Sequence, residues 1–400
     1  MITEEILRAV IKDFQPINSS RRIVEREKTI PINSNRIVVI TGIRRCGKST
    51  LLKHHIKNFN EAIFINFEDI RLEGFDKNDF LKIEKITAED QIRYLVFDEI
   101  QNVIDWEKFV RSAHDKGFQI FITGSNASML SRELGTHLTG RHLQLELFPF
   151  SFGEYLKLKS LEENAENFLL YLQNGGFPEY LQSEEEDYLR SLAKDIVIRD
   201  IAVRRNIKND HLLMRLLIFL MSNTAKEFSY NNISKLLEIK SVRTTIDYCN
   251  YLKESFLIDF LPRFSFSIKQ QQMNPQKIYA IDTAMAKSIS LSLSEDSGRK
   301  LENAVFLMLK RFSVELLYFK DEKSECDFIV KKGNQICMVV QVCWQLTNEN
   351  LEREINGLKK AMNTVSLDKG FIITMNQEDS FDNIQAIPAW KFENILKNIL

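Results

Sequence analysis

The sequence predicts an α/β protein whose N-terminal part is a parallel sheet covered by helices. Across residues 36–150, short apolar runs alternate with helical patterns, as in strands joined by crossover helices. The first run, Arg36–Thr41, is rich in β-branched residues and precedes a glycine loop at 42–49 and a helical pattern from Thr50. The loop matches G-x-x-x-x-G-K-[ST] at every position. Strand, loop and helix in this order predict a phosphate-binding loop.

The residues of this loop suit a nucleotide and a magnesium ion. Backbone N–H groups of such a loop form a nest for the β-phosphate, and the following helix adds partial positive charge. Lys48 can reach the β- and γ-phosphates, and the Ser49 hydroxyl can ligate Mg²⁺. We therefore expect ATP and Mg²⁺ as cofactors; the alternative is a chance glycine–lysine turn. The expected nucleotide-binding residues are Gly42, Arg44, Arg45, Cys46, Gly47, Lys48, Ser49 and Thr50.

An acidic pair follows the apolar run Tyr94–Phe97, which predicts a strand buried on both faces. Asp98 and Glu99 then lie at the strand end where open α/β sheets bind ligands. We expect Asp98 to hold Mg²⁺ through water and Glu99 to orient or deprotonate the attacking water. The alternative is an ordinary strand end with solvated acids.

A third strand, Phe118–Thr123, ends in Gly124-Ser125-Asn126. A polar residue at the tip of the strand beside the acidic strand is where ATPases of the additional-strand type keep a γ-phosphate sensor. Thr123, Ser125 and Asn126 are the candidates for this catalytic role, and the alternative is a turn selected for its backbone geometry.

Composition limits the classes of function. The 400 residues suggest two or three domains, and the formal net charge of −1 gives no global field typical of a nucleic-acid protein, although a local patch is possible. Five cysteines without paired or zinc-type spacing predict a reduced, cytoplasmic protein. The first residues do not resemble a signal peptide, and no apolar run approaches the ~20 residues of a membrane span, so we expect no membrane partner.

The rest of the chain divides by pattern. Residues 1–35 are a lead-in segment, and residues 151–208 are helical with a break at 174–178, where Gly-Gly-Phe-Pro interrupts the pattern. Residues 209–290 predict a small helical module that ends in a hairpin, and residues 297–400 return to an α/β pattern.

Together these features resemble the prokaryotic AAA-family ATPases that carry a C-terminal domain of unknown function 4143. The resemblance implies an ATP-hydrolysing core at 36–150, a helical lid at 151–208, a winged helix at 209–290 and a restriction-endonuclease-like α/β domain at 297–400. The strings that carry it are Gly42–Thr50, Val96–Gln101, Phe121–Asn126, Leu138–Arg141, Leu147–Phe152, Gly175–Glu179, Asp195–Asp200 and Asn274–Asp282.

The resemblance also suggests an arginine that acts across a subunit boundary. Arg141 precedes an alternating strand at the point where related ATPases place the finger that reaches a neighbour's γ-phosphate, and self-association is therefore expected. Arg132 is a weaker rival, and a surface arginine is the alternative. Arg199 could be a lid arginine, with an ion-pair role as the alternative and Arg204 and Arg205 as competitors.

In the winged-helix segment, a second helix from Arg243 to Phe256 follows a turn with a serine cap. Such helices enter the DNA major groove by their N-terminal ends. The DNA-binding candidates are therefore Lys240, Ser241, Arg243 and Thr244. A winged helix that contacts protein is the alternative.

The nuclease-like segment departs from the pattern that cleavage needs. Glu302 and Asp327 are present, but the (D/E)-x-K tripeptide is replaced by Gln341-Val342-Cys343. Glutamine is a poor Mg²⁺ ligand and a neutral thiol cannot replace an ammonium group. Lys359 or Lys360 could substitute, but we expect a domain that binds without cleaving. The leading hypothesis is an Mg²⁺-dependent ATPase that engages DNA; the alternatives are a nucleotide-controlled switch that binds a protein and an ATP-driven nuclease.

Overall fold

The computed structural model describes residues 2–13, 22–31, 34–57, 59, 61–125, 138, 140–291 and 296–400. The chain forms two compact units. The first comprises Met1–Phe148 with Glu254–Phe256, and the second comprises Pro149–Lys253 with Leu257–Leu400.

The first unit contains a five-stranded sheet in the order β2-β3-β4-β1-β5, in which all pairings are parallel. This confirms the predicted α/β class with a parallel sheet. The strand β2, which was not predicted individually, lies beside the acidic strand β3. The strands are β1 (Ile37–Thr41), β2 (Ala62–Asn66), β3 (Tyr94–Asp98), β4 (Gln119–Gly124) and β5 (His142–Glu146).

Helices pack on this sheet because both of its faces are apolar. All five residues of β1 are buried, and Trp106, Phe80 and Phe109 belong to the core below it. The rings of Phe80 and Phe109 stack with centroids 4.2 Å apart. This core fixes the carboxyl ends of β1, β3 and β4 at one edge, where the candidate site lies. The helices are α1 (Glu4–Lys12), α2 (Lys48–Ile56), α3 (Phe80–Glu89) and α4 (Trp106–Asp115), with short 3₁₀ turns at Ile70–Leu72 and Ile100–Asn102.

The second unit begins with short helices, and a capping box at Ser151 starts the first of them. The predicted break contains Gly175 and Gly176, and both are required by close contacts. A Cβ atom on Gly176 would lie 2.3 Å from the Phe150 carbonyl oxygen, and Gly175 has a φ of +65°. The helices are α5 (Phe152–Lys159), α6 (Ala165–Asn174), α7 (Pro178–Ser183) and α8 (Tyr188–Asp195), followed by a π-helical segment at Ile196–Val203.

A three-stranded antiparallel sheet in the order β6-β8-β7 follows, with helices before, between and after its strands. Phe228 belongs to β6, and Ser229 caps a helix that begins at Tyr230. The elements are α9 (Asp210–Ser222), β6 (Glu227–Phe228), α10 (Tyr230–Leu236), α11 (Val242–Glu254), β7 (Ile258–Pro262), α12 (Ile268–Met273), β8 (Gln276–Ala280) and α13 (Thr283–Ile289).

The C-terminal part forms a six-stranded mixed sheet in the order β13-β14-β12-β11-β10-β9. The strands β9, β10 and β11 are antiparallel, whereas β12 pairs in parallel with both β11 and β14. The elements are α14 (Ser297–Arg311), β9 (Glu315–Lys320), β10 (Glu325–Lys332), β11 (Gln335–Val342), α15 (Leu351–Val365), β12 (Gly370–Thr374), β13 (Asp379–Phe381), β14 (Ile384–Pro388) and α16 (Ala389–Ile399).

Candidate nucleotide-binding site

The phosphate-binding loop lies between β1 and α2 and has the backbone conformation that its glycines allow. Gly42 must be glycine because a Cβ atom there would lie 2.1 Å from the Leu147 carbonyl oxygen. Gly47 caps α2 with a φ of 103°, in the left-handed region. The Lys48 side chain is only 4% exposed, and its ammonium group donates to the carbonyl oxygens of Gly42 (3.0 Å) and Ile43 (3.1 Å). The cation that the sequence predicted therefore lies inside the loop.

Asp98 and Ser49 lie together beside the loop. Burial, together with repulsion from Glu99, raises the pKa of the Asp98 carboxyl, and hydrogen bonds from Thr123 and Ser49 oppose that shift. The contact from Ser49 places its hydroxyl beside the Asp98 carboxylate. These two groups are the kind of oxygen ligands that a Mg²⁺ ion at a nucleotide needs. The residues present therefore fit the ion that the sequence implies.

Glu99 lies next to the loop lysine and is held by further polar groups. Its backbone is left-handed, with a φ of 53°, and its Oε1 atom is 3.7 Å from Lys48 Nζ. Its Oε2 atom accepts hydrogen bonds from Ser125 Oγ at 3.0 Å and from Gln101 Nε2. Burial alone would raise the pKa of Glu99, but Lys48, Gln101 and Ser125 outweigh burial and lower it. Glu99 is therefore a carboxylate at neutral pH, the form that a base requires.

Thr123 joins the two acidic residues. Its hydroxyl donates to Asp98 Oδ1 and accepts from the Glu99 backbone N–H at 3.0 Å. Of the three sensor candidates, Thr123 and Ser125 thus contact the acidic pair. The remaining candidate, Asn126, lies outside the described residues, as does the rival finger Arg132.

Two residues at this site were given no role by the sequence patterns. Gln101 follows the acidic pair and contacts Glu99. Arg26 comes from the lead-in segment, and its guanidinium group donates to the Cys46 carbonyl oxygen at 2.8 Å and to the Phe148 carbonyl oxygen at 2.6 Å. Arg26 therefore links the phosphate-binding loop to the backbone that follows β5. No spacing rule relates position 26 to the loop.

The other loop side chains have structural contacts. Arg44 forms an ion pair with Glu68 at 2.8 Å, and the Cys46 thiol donates to the Leu147 carbonyl oxygen at 3.4 Å. Burial raises the pKa of Cys46, so this side chain is a neutral thiol that packs under the loop.

Arg141 lies at the N-terminal end of the parallel strands, whereas the phosphate-binding loop of its own chain lies at their C-terminal end. Its carbonyl oxygen accepts from the Ile37 N–H at 2.8 Å, at the start of β1, whereas the loop follows the end of that strand. Four residues of strand separate these ends by about 13 Å. Arg141 forms an ion pair with Asp115, so its guanidinium group does not face its own phosphate-binding loop.

The candidate lid arginines are in or near the π-helical segment of the second unit. Arg199 is exposed and lies 3.7 Å from Asp195. Arg204 lies 3.9 Å from Asp200, and the Arg205 guanidinium group lies 4.7 Å from the Tyr251 ring centroid. The distance to Asp195 favours the ion-pair alternative for Arg199.

The DNA-binding candidates gather at the N-terminal end of α11. Ser241 Oγ accepts a hydrogen bond from the Thr244 N–H at 3.0 Å and caps the helix. The Arg243 side chain is 81% exposed and lies 3.3 Å from Asp247, and Lys240 is also exposed. The helix end therefore presents basic and hydroxyl groups to solvent.

In the C-terminal sheet, the expected acids Glu302 and Asp327 do meet, but around a lysine from another element. Lys277 Nζ lies 3.0 Å from Glu302 Oε1 and 2.8 Å from Asp327 Oδ1. The expected substitutes lie elsewhere: Lys359 pairs with Asp382 and Lys360 with Asp321.

The replaced tripeptide has contacts of its own. Gln341 accepts a hydrogen bond from the Asp327 N–H at 3.2 Å and donates one to Glu354 Oε2 at 2.7 Å. Burial raises the pKa of the Cys343 thiol, which is therefore neutral.

Within the described residues, no group of three or more His, Cys, Asp or Glu side chains is arranged to hold a metal. No helix of that part of the chain is both long and apolar enough to cross a membrane.

Comparisons with known proteins match two segments of this chain to protein families and the greater part of it to relatives. Residues 34–156 match the AAA domain, and residues 165–297 match a domain of unknown function (DUF8612), which differs from the domain 4143 expected from the resemblance. The uncharacterized protein MJ1544 of Methanocaldococcus jannaschii is 36% identical, covering 98% of this chain and 96% of that protein. An uncharacterized protein of Haemophilus influenzae is 30% identical over 80% of this chain and 85% of that protein. Among solved structures, the Walker-type ATPase PABY2304 of Pyrococcus abyssi covers 72% of this chain and 94% of its own, with 16% identity and a TM-score of 0.42.

Proposed function

The chain belongs to the same family as MJ1544 and contains an AAA domain, and on that premise we propose that it is an Mg²⁺-dependent ATPase whose second unit engages DNA. The observation that carries the ATPase proposal is the grouping of Lys48, Ser49, Asp98 and Glu99 at one edge of the sheet, with Glu99 3.7 Å from Lys48.

Each of these side chains has a defined task in hydrolysis. The loop N–H groups bind the β-phosphate, and Lys48 offsets the charge of the β- and γ-phosphates. Ser49 and Asp98 would hold Mg²⁺, which when bound neutralises charge on the phosphate oxygens. Glu99, ionised and fixed by Ser125 and Gln101, orients the attacking water and accepts its proton.

Two variants test the ATPase proposal. Lys48→Ala should lose nucleotide binding, because the phosphate charge then lacks its cation, whereas Lys57→Ala at the far end of α2 should bind ATP normally. Glu99→Gln should bind ATP but release no phosphate. Retained turnover in Glu99→Gln would remove Glu99 from the role of base.

Self-association is part of the proposal, since Arg141 faces away from its own loop and could act only on a neighbour's nucleotide. Arg141→Ala should lower turnover without weakening ATP binding. Mixing Arg141→Ala with Glu99→Gln should restore part of the activity, because some interfaces then pair an intact base with an intact finger.

Asp115→Ala provides the matched control, because it breaks the same ion pair but keeps the arginine. If Arg141 is only a structural partner of Asp115, the two variants will lose activity equally. Equal losses would refute the role of Arg141 as a finger. The role would also be refuted if the mixed variants regain no ATPase activity and the protein is a monomer by mass measurement.

DNA engagement is supported by the exposed basic end of α11. Binding to a labelled DNA duplex can be measured by fluorescence anisotropy at two salt concentrations. The affinity should fall steeply as the salt concentration rises. Lys240→Ala with Arg243→Ala should reduce that salt dependence, whereas Lys287→Ala on α13 should not. The absence of DNA binding at low salt, with and without ATP, would favour the second candidate, a nucleotide-controlled switch that binds a protein through this helix.

We also propose that the C-terminal domain cleaves no DNA. The order of one helix, three antiparallel strands, a helix and a parallel strand supports a nuclease-like fold. Its tripeptide, however, supplies neither a third carboxylate nor the ammonium group that cleavage requires. Supercoiled, linear and branched DNA should remain intact in Mg²⁺ or Mn²⁺. Nicking that disappears in Asp327→Ala would instead establish an ATP-driven nuclease.

A further inference from the structure

Lys277 is buried among three carboxylates in the second unit. Its ammonium nitrogen lies 2.7 Å from Glu325 Oε1, 2.8 Å from Asp327 Oδ1 and 3.0 Å from Glu302 Oε1. The side chain is only 3% exposed. Lys277 belongs to β8 of the three-stranded sheet, whereas the acids belong to α14 and β10. One cation therefore joins three elements of the unit.

Each carboxyl group has a further partner besides Lys277, through the second oxygen for Asp327 and Glu325 and through the same oxygen for Glu302. Asp327 Oδ2 accepts from the Val342 N–H at 2.9 Å, and Glu302 Oε1 accepts from the Tyr279 hydroxyl at 2.6 Å. Glu325 Oε2 lies 3.2 Å from Lys320. The cluster is therefore preorganised around the position of the Lys277 nitrogen.

The charge balance explains why a lysine can be buried here. Burial alone would lower the pKa of Lys277, but the negative charges of Asp327 and Glu302 outweigh burial and raise it well above its usual range. The Tyr318 ring lies 5.5 Å from the nitrogen and adds an aromatic face. Burial, together with repulsion from Asp327, raises the pKa of Glu302 to about 8. Removing the cation would therefore leave Asp327 and Glu325 as uncompensated carboxylates in a site with little access to water.

We propose that this carboxylate cluster is a cation site whose resident cation is the Lys277 ammonium group. The lysine takes the place that a divalent metal would take between Glu302 and Asp327, and it fixes β8 to the C-terminal sheet. The intact protein therefore needs no metal in this part of the fold. This inference goes beyond the proposed function and does not depend on DNA binding.

A second role for Lys277, as a relocated catalytic lysine, does not fit its surroundings. Such a lysine must touch a water molecule beside a scissile phosphate. With 3% exposure and three carboxylate neighbours, Lys277 presents no face to a substrate.

Metal binding by full-length variants tests the proposal. All proteins would carry Asp98→Asn, which removes the metal ligand of the nucleotide site, and would be measured without nucleotide. Bound Mn²⁺ is counted by electron paramagnetic resonance, and thermal unfolding is followed in EDTA and in Mn²⁺. Lys320→Ala is the matched control, because Lys320 also pairs with Glu325 but from a more exposed position.

The parent and Lys320→Ala should bind no Mn²⁺ and should melt alike in EDTA and Mn²⁺. Lys277→Ala should melt about 6 °C or more below the parent in EDTA, as expected for a broken buried pair. It should also bind one Mn²⁺ per chain, regain part of the lost melting temperature and lose both effects when Asp327→Asn is added.

The proposal is overturned if Lys277→Ala has the same melting temperature as Lys320→Ala, or if Lys277→Ala binds no Mn²⁺. It is also overturned if the parent binds an Mn²⁺ ion that is lost when Asp327→Asn is added. If Lys277→Ala does not fold, the triple variant Lys277→Met, Glu325→Gln, Asp327→Asn decides the matter. It removes the cation and two charges together, so recovery of folded protein supports the cation site and failure to fold refutes it.

Discussion

Replacing Arg26 with alanine should weaken ATP binding, although this residue lies 20 positions before Cys46, the loop residue that it contacts. Its guanidinium group donates to the Cys46 carbonyl oxygen at 2.8 Å and to the Phe148 carbonyl oxygen at 2.6 Å. The first contact holds the loop immediately before Gly47 and Lys48. The second anchors the arginine to backbone that does not belong to the loop.

The size of the effect follows from these two contacts. A hydrogen bond from a charged donor contributes about 1.5 kcal/mol at the lower end of its range, which suits a half-buried arginine. Loss of both bonds should lower the free energy of unfolding of the first unit by about 3 kcal/mol. Loss of the bond to Cys46, about half of this free energy, lowers the population of the binding-competent loop. The apparent Kd for ATP should therefore rise about tenfold.

Titration with a fluorescent ATP analogue in Mg²⁺ measures the affinity, and urea unfolding measures the stability. Arg26→Lys should fall between the wild type and Arg26→Ala, because an ammonium group cannot span both carbonyl oxygens as the planar fork does. Arg8→Ala is the control: it removes an arginine of the same unit that pairs with Glu4 and Glu89 on its surface.

An Arg26→Ala protein that binds the analogue within twofold of Arg8→Ala would refute this reasoning. A protein that loses stability but keeps its affinity would show that Arg26 braces the fold without organising the loop.

Three further predictions concern single contacts. Gly176→Ala should lower the free energy of unfolding by about 3 kcal/mol in urea melts, because its Cβ atom would meet the Phe150 carbonyl oxygen. Gln101→Ala should reduce the rate of phosphate release about tenfold at unchanged ATP affinity, since Glu99 would lose a partner that orients it. Burial alone would raise the pKa of Asp259, but Lys253 and Lys310 outweigh burial and lower it. The stabilising contribution of Asp259 is therefore present above its unfolded-state pKa and is lost as pH falls through its folded-state pKa. Asp259→Asn should therefore remove part of the loss of stability below about pH 4, seen by urea melts from pH 3 to 6.

The sequence predicted the parts of the nucleotide site whose chemistry is local. Lys48 and Ser49 are recognisable because a short loop must place glycines, a cation and a hydroxyl at fixed spacings. Asp98 and Glu99 follow a buried strand, and the parallel sheet brings that strand end beside the loop. For such residues, strand order and register convert a sequence pattern directly into a position.

The residues that escaped prediction act through contacts between distant segments. Arg26 reaches Cys46 and Phe148, 20 and 122 positions away, and nothing in its own neighbourhood indicates either partner. Lys277 reaches Asp327 across 50 positions. Such partners are defined only by the packing of whole elements, which a periodicity of two or 3.6 residues does not encode.

Two of the strings that carry the family resemblance contain residues that form buried contacts with each other. Gly175–Glu179 and Asn274–Asp282 are nearly a hundred residues apart, yet Asp282 Oδ2 accepts from the Gly176 N–H at 2.6 Å and its Oδ1 accepts from Met285 at 2.9 Å. Burial raises the pKa of Asp282, and these N–H groups offset part of that cost. A side chain at Gly175 would collide with the same carboxylate at 2.3 Å. The two glycines and Asp282 require each other, so close packing accounts for these residues in both strings. The charge of the neighbouring acids accounts for Lys277 in the second string.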